Sequence, residues 1–168
     1  MEEVFERTWY RVKIYTSYFY QLRFFPKHYI PISTAIFDPK WFHDNKGPNY
    51  VFKDKRGVYN GIRCNPLHPG PLCTGLCNGT RGCLSLPGDC LFLQAYRVQL
   101  NAINFPQFMQ GLEALVNRVC EKENFTEELV VVFLVYETPD NPCSERQPLL
   151  DWFQSHGIDA KELTYPLA

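Results

Sequence analysis

The chain has 168 residues, 45% of them hydrophobic, with 17 Lys/Arg against 18 Asp/Glu and a formal net charge of −1. That length suits one hydrophobic core and is short for two, so residues 1–168 are read as a single domain. The near-neutral balance excludes a dedicated duplex-DNA binder, and no apolar run approaches the roughly 18 residues of a membrane helix.

The charge is unevenly spread. Residues 1–97 carry 13 Lys/Arg against 7 Asp/Glu, and residues 98–168 carry 4 against 11. Either the two parts attract each other in the fold, or the amino-terminal part presents a basic, ligand-facing surface. The opening Met1-Glu-Glu-Val-Phe-Glu6 is acidic and has no signal-peptide pattern, so a cytoplasmic location is expected. In that compartment the 7 cysteines read as thiols or metal ligands rather than disulfides.

From the amino end, Arg11-Val-Lys-Ile-Tyr-Thr16 alternates as a strand. Tyr18-Phe-Tyr-Gln-Leu22 then reads as a short helix capped by Ser17. Thr16, Ser17 and Tyr18 thus stand at a strand-to-helix corner, either as caps or as ligand contacts. Tyr29-Ile-Pro-Ile-Ser-Thr-Ala-Ile36 is the next strand, and Pro31 marks it as an edge strand or a strand start. Trp41 and Phe42, in Asp38-Pro-Lys-Trp-Phe42, either close the core or stack on a planar ligand.

Residues 43 to 90 hold 8 of the 10 glycines, with repeated Pro-Gly, Gly-Pro and Asn-Gly turns. So long an irregular insertion calls for a function or a staple. Cys73, Cys77, Cys83 and Cys90, separated by three, five and six residues, offer four thiolates to a tetrahedral zinc ion. No two-residue Cys-x-x-Cys knuckle is present, so an iron–sulfur cluster and unliganded thiols stay open beside zinc. Helices are expected from Pro87 or Asp89 to Asn101 and from Pro106 to Glu121, each with one apolar stripe.

Val130-Val-Val-Phe-Leu-Val-Tyr136 is a continuous β-branched run, the pattern of a strand covered on both faces. Glu137 and the turn Thr138-Pro-Asp-Asn-Pro-Cys143 follow. Ser144 and Gln147 form a capping-box pattern that opens a helix. Tyr136, Glu137, Asn141, Cys143, Ser144, Glu145 and Arg146 would then lie at the carboxyl end of a strand and the amino end of a helix. Open α/β sheets bind ligands there, free N–H groups favour anions, and a cysteine becomes a better nucleophile. The plainer alternative is a well-capped turn with Arg146 paired to Glu145 or Glu137. Ile158 to Leu163 completes the chain as a further strand.

The segments Ile14-Tyr-Thr-Ser-Tyr-Phe19, Pro39-Lys-Trp-Phe42 and Tyr136-Glu-Thr-Pro-Asp-Asn-Pro-Cys-Ser-Glu-Arg146 resemble a known family, the domain of unknown function numbered four hundred eighty-eight. Many of its members carry Cys-His-Arg where this chain has Cys143-Ser-Glu-Arg146, so the chain resembles a variant branch. The resemblance reinforces an α/β fold: a Rossmann-like three-layer sandwich with a mostly parallel sheet, interrupted by the cysteine-rich insertion at about 43–90.

Three functions follow as expectations. The first is a pocket for a nucleotide, a nucleotide-derived signal or single-stranded nucleic acid. It would use Thr16, Ser17, Tyr18, Trp41, Tyr136, Asn141, Ser144, Glu145 and Arg146. The second is an enzyme acting on a nucleoside or glycosidic bond, with Cys143 as nucleophile or Glu137 as general acid/base. The third is a protein-interaction module stabilised by zinc. No Walker loop, dinucleotide fingerprint or His-Glu-x-x-His motif is present, which disfavours the enzymes built on them.

Overall fold

A strand that is apolar at every position needs cover on both sides. Residues 12–74 and 90–164 are described by the computed structural model, and there Val130–Val135 (β5) is such a strand, buried at all six positions. It lies inside a four-stranded sheet between Lys13–Tyr18 (β1) and Tyr29–Ser33 (β2). Lys161–Glu162 (β6) pairs on the far side of β1, and the order is β2-β5-β1-β6. Every pairing is parallel, with Tyr18 opposite Val135 and Ser33 opposite Leu134. β2 is thus an edge strand, where the missing N–H of Pro31 is tolerated. The fold is α/β.

Successive β5 side chains enter different cores, as strand geometry requires. Val131 and Phe133 join a cluster with Ile14, Ile30 and Ile32 and with the apolar stripes of three helices. The helices around this cluster begin with the short α1 (Pro71–Thr74), followed by α2 (Leu91–Asn101), α3 (Phe105–Glu123) and α4 (Arg146–Ser155). Val130, Val132 and Leu134 face the other way, onto Phe19, Leu22, Phe25, Phe42 and Val58. That second face is covered by two 3₁₀ helices, Phe19–Phe24 and Lys40–His43, and by loop residues. All the described α-helices therefore contribute to one face, and the 3₁₀ helices and loops cover the other.

The second helix expectation, Pro106 to Glu121, matches α3 to within two residues at each end. Asn104 caps it by accepting a hydrogen bond from the Gln107 N–H at 3.1 Å, Pro106 occupies the first turn, and Asn124 closes it in the left-handed region at φ 53°. An exposed cap of this kind contributes about 1 kcal/mol. Asn104→Ala is expected to lower stability by that amount in urea unfolding, without changing the slope of the transition.

Several local expectations are corrected. β1 continues through Tyr18, because its ladder with β5 holds the backbone extended there. Ser17 is therefore a strand residue, and the following 3₁₀ helix has no side-chain cap. β2 ends at Ser33, after which the Thr34 N–H and hydroxyl both reach the Leu134 carbonyl at 3.0 Å. The strand expected over Ile158–Leu163 narrows to Lys161–Glu162. The described part of the insertion, residues 43–74, is ordered by a hairpin of Phe52–Lys53 (β3) and Tyr59–Asn60 (β4), a 3₁₀ turn and α1. Among the described residues, no helix is long and apolar enough to cross a membrane.

Candidate functional site

Parallel pairing of β1 with β5 brings the corner at residues 16–18 and the turn at 137–146 to the same edge of the sheet. The edge is organised by an ion pair that joins three parts of the chain. Arg146, only 6% exposed, donates from Nε to Glu162 Oε1 at 2.5 Å, from Nη1 to the Thr138 carbonyl at 3.0 Å and from Nη2 to the Glu137 carbonyl at 2.7 Å. Thr16 Oγ1 donates to the same Glu162 oxygen at 2.7 Å. A planar guanidinium suits this task because its donors point outward in a fixed fork. Arg146 thus pairs with Glu162 rather than with Glu145 or Glu137, the partners of the plainer alternative, and it staples the start of α4 to the ends of β5 and β6.

The turn itself is held by short polar bonds. Asn141 Oδ1 accepts from the Cys143 N–H at 2.9 Å, and the Asn141 N–H donates to the Thr138 carbonyl at 3.0 Å. Ser144 is buried, and its Oγ accepts from the Arg146 N–H at 3.1 Å. Gln147 Nε2 reaches forward to Asp151 at 2.8 Å, so the expected Ser144–Gln147 capping box does not form. The helix begins at Arg146, which places half-buried Cys143 three residues before it. That is outside the first turn, where a helix dipole acts most strongly.

Glu145 is 6% exposed, and half-buried Glu137 is its acidic neighbour. Burial, followed by the negative charge of Glu137, pushes Glu145 up to about 8. Burial therefore favours the protonated form of a carboxyl on the carboxyl edge of the sheet. Glu162 is also raised by burial, against the opposing bonds from Thr16 and Arg146.

The predicted contacts fall into separate groups. Thr16 and Ser17 are fully buried within β1. Tyr18 is half-buried, and its hydroxyl accepts from Gln21 Nε2 at 2.6 Å. Trp41 and Tyr136 are 47% and 50% exposed and flank Phe19, with ring centroids 6.2 Å and 5.2 Å from it. They form an aromatic ledge. Asn141, Ser144 and Arg146 instead line a cleft of about 350 Å³ with Gln94, Arg97 and Gln147. Arg97 was not among the predicted contacts; it falls off the apolar stripe of α2, which leaves it on the side that faces this cleft. A larger cavity, of about 490 Å³, lies between Phe133 and α3; it is apolar and holds none of the predicted residues.

Of the four cysteines proposed for zinc, Cys77 and Cys83 lie outside the described residues. Cys73 and Cys90 are both buried. The Cys73 thiol, raised by burial, donates to Gln99 Oε1 at 3.5 Å. Among the described residues, no three His, Cys, Asp or Glu side chains gather as a metal site.

A second polar cluster, at the end of β2, was missed by the sequence reading. Asp38 accepts from the Ser33 hydroxyl, stands 2.6 Å from His43 Nε2 and accepts from Arg63 Nη1 at 3.2 Å. Arg63 Nη2 also donates to His68 Nδ1 at 2.5 Å. The other His43 nitrogen, Nδ1, donates to the Tyr50 carbonyl at 2.9 Å. That carbonyl can approach because residue 61 is glycine at φ +100°; a Cβ there would lie 2.1 Å from the same oxygen. The only available signal was Asp38 and His43 five residues apart, which is too common a spacing to point to a contact.

No family model matches this chain, and neither a curated protein nor a solved structure is significantly similar to it.

Proposed function

We propose that the protein binds a nucleotide or nucleotide-derived anion in the cleft between α2 and the Thr138–Arg146 turn. The observation that carries this reading is the composition of the cleft wall. Three amide residues, Gln94, Asn141 and Gln147, line it together with Arg97, Ser144 and Arg146, and Leu93, Pro139 and Pro142 supply its apolar part. Amides present donors and acceptors together, as the edge of a base requires. A guanidinium matches phosphate oxygens in two-point geometry. Arg97 is paired with Asp151 at 2.9 Å, but both side chains are over 40% exposed. Such a pair contributes little, so a phosphate can displace the carboxylate at small cost. Arg146 is already bound to Glu162 and two carbonyls, which leaves the phosphate to Arg97.

A nucleotide panel tested by thermal unfolding is expected to contain at least one stabilising ligand; binding at 100 times Kd stabilises by about 2.7 kcal/mol. Arg97→Ala is expected to weaken that ligand at least about tenfold, equivalent to 1.4 kcal/mol, while leaving the unliganded melting temperature in place. A panel without any shift would remove the reading.

A second reading rests on the protonated Glu145 beside Glu137. A carboxylic acid held neutral near pH 7 can protonate a leaving group, as cleavage of a nucleoside or glycosidic bond needs. On this reading Glu145→Gln keeps ligand binding and abolishes turnover, whereas the binding-only reading expects no turnover from either protein.

A further inference from the structure

We infer that the cleft at the end of β2, bounded by Phe37, Lys40, His43 and Arg63, is a second ligand site that takes a phosphomonoester with a planar aromatic body. It is separate from the cleft beside α2 and does not depend on it. The cleft measures about 350 Å³, and Asp38, Asn45, Gly47 and Pro48 complete its wall.

The charge of the cleft follows from its fixed cations. Asp38 is shared between His43 Nε2 at 2.6 Å and Arg63 Nη1 at 3.2 Å. Arg63, with 19% of its side chain exposed, also donates to His68 Nδ1 and to the carbonyls of Ala35 and Ile36. The Lys40 ammonium is exposed and has no hydrogen-bond or ion-pair partner among the described residues. The cleft thus sets two guanidinium or ammonium cations against a single carboxylate, an arrangement that favours an anionic ligand.

A phosphomonoester carries about −1.5 to −2 charges at neutral pH and offers three acceptor oxygens, enough to meet Lys40 and Arg63 together, whereas a carboxylate offers one charge and two oxygens. Phe37 gives the second half of the specificity. It is 78% exposed, an unusual position for a large apolar ring, and it lines the same cleft. A planar group stacked on that ring buries apolar surface on both partners.

Calorimetric titration of the full chain with phenyl phosphate, inorganic phosphate and benzoate tests the inference. Phenyl phosphate is expected to bind saturably at one site, with inorganic phosphate and benzoate each about tenfold weaker, one decade in Kd. Lys40→Met weakens phenyl phosphate about tenfold, the loss of one charge contact. Phe37→Ser removes the preference for phenyl phosphate over inorganic phosphate and leaves inorganic phosphate binding unchanged. Both positions are exposed, so neither variant disturbs the core. Arg97→Ala leaves all three titrations as in the parent chain, which separates this site from the cleft beside α2. The inference is overturned by an absence of saturable phenyl phosphate binding, by affinity that survives Lys40→Met, or by affinity that falls with Arg97→Ala.

Discussion

Replacing Arg146 with methionine is expected to destabilise the protein by about 3–5 kcal/mol, the range for breaking a buried ion pair from one side. The substitution leaves Glu162 in a low-dielectric site with only Thr16 to bond it, and Glu162 Oε2 already has no partner. It also strips a donor from the carbonyls of Glu137 and Thr138. Denaturant unfolding of Arg146→Met against Arg146→Met/Glu162→Gln makes the cause visible. The double variant is expected to recover a substantial part of the loss, because the uncompensated carboxylate is gone. No recovery would mean that the loss comes from the turn carbonyls and side-chain packing. Arg146→Lys does not rescue, since one ammonium cannot span three acceptors in the guanidinium's fork geometry.

Glu145→Gln is expected to act in the opposite direction. In the fold, burial and the Glu137 charge raise Glu145 from an ordinary 4.5 to about 8. The folded state then keeps a proton that the unfolded chain releases near 4.5. Stability therefore falls as pH rises between roughly 4.5 and 8, at up to about 1.4 kcal/mol per pH unit, and the loss is complete above about 8. The raised Glu162 adds to the same trend. Glutamine supplies a permanently neutral donor toward Glu137 and removes the Glu145 share. The variant is expected to exceed the parent by on the order of 2–4 kcal/mol at pH 8 and to differ little from it at pH 4. Urea titrations at the two pH values measure this. Equal effects at both would show that Glu145 is ionised in the folded protein.

How far the sequence announced these features depends on the kind of signal. Val130–Val135 was legible because a six-residue apolar strand admits few other readings, and α3 because its apolar stripe repeats with helical spacing, whereas its Asn104 cap and closing Asn124 were not read from the sequence. The shared edge of β1 and β5 followed from parallel pairing of strands separated by helices. The short strands and 3₁₀ helices were less legible. β6 has only two residues, and its register comes from β1 rather than from any pattern of its own. Contacts between distant polar side chains were least legible of all. The partner of Arg146 is 16 residues away and that of Asp38 is 25 residues away in Arg63, and nothing in local spacing chooses them over nearer carboxylates or cations. Ser17 shows the same limit. Its residue type favours a cap, but the ladder from β5 overrides that preference.

The strand that joins the two halves of the sheet is synthesised late. β1 and β2 do not pair with each other; each pairs with β5, over a hundred residues downstream of the start of β1. A ribosome that has delivered the first 120 residues has made both outer partners and none of the hydrogen-bonding surface between them. Until residues 130–135 emerge, both strands keep unpaired edges, so the sheet can form only through contacts of long sequence separation, the kind that slows folding.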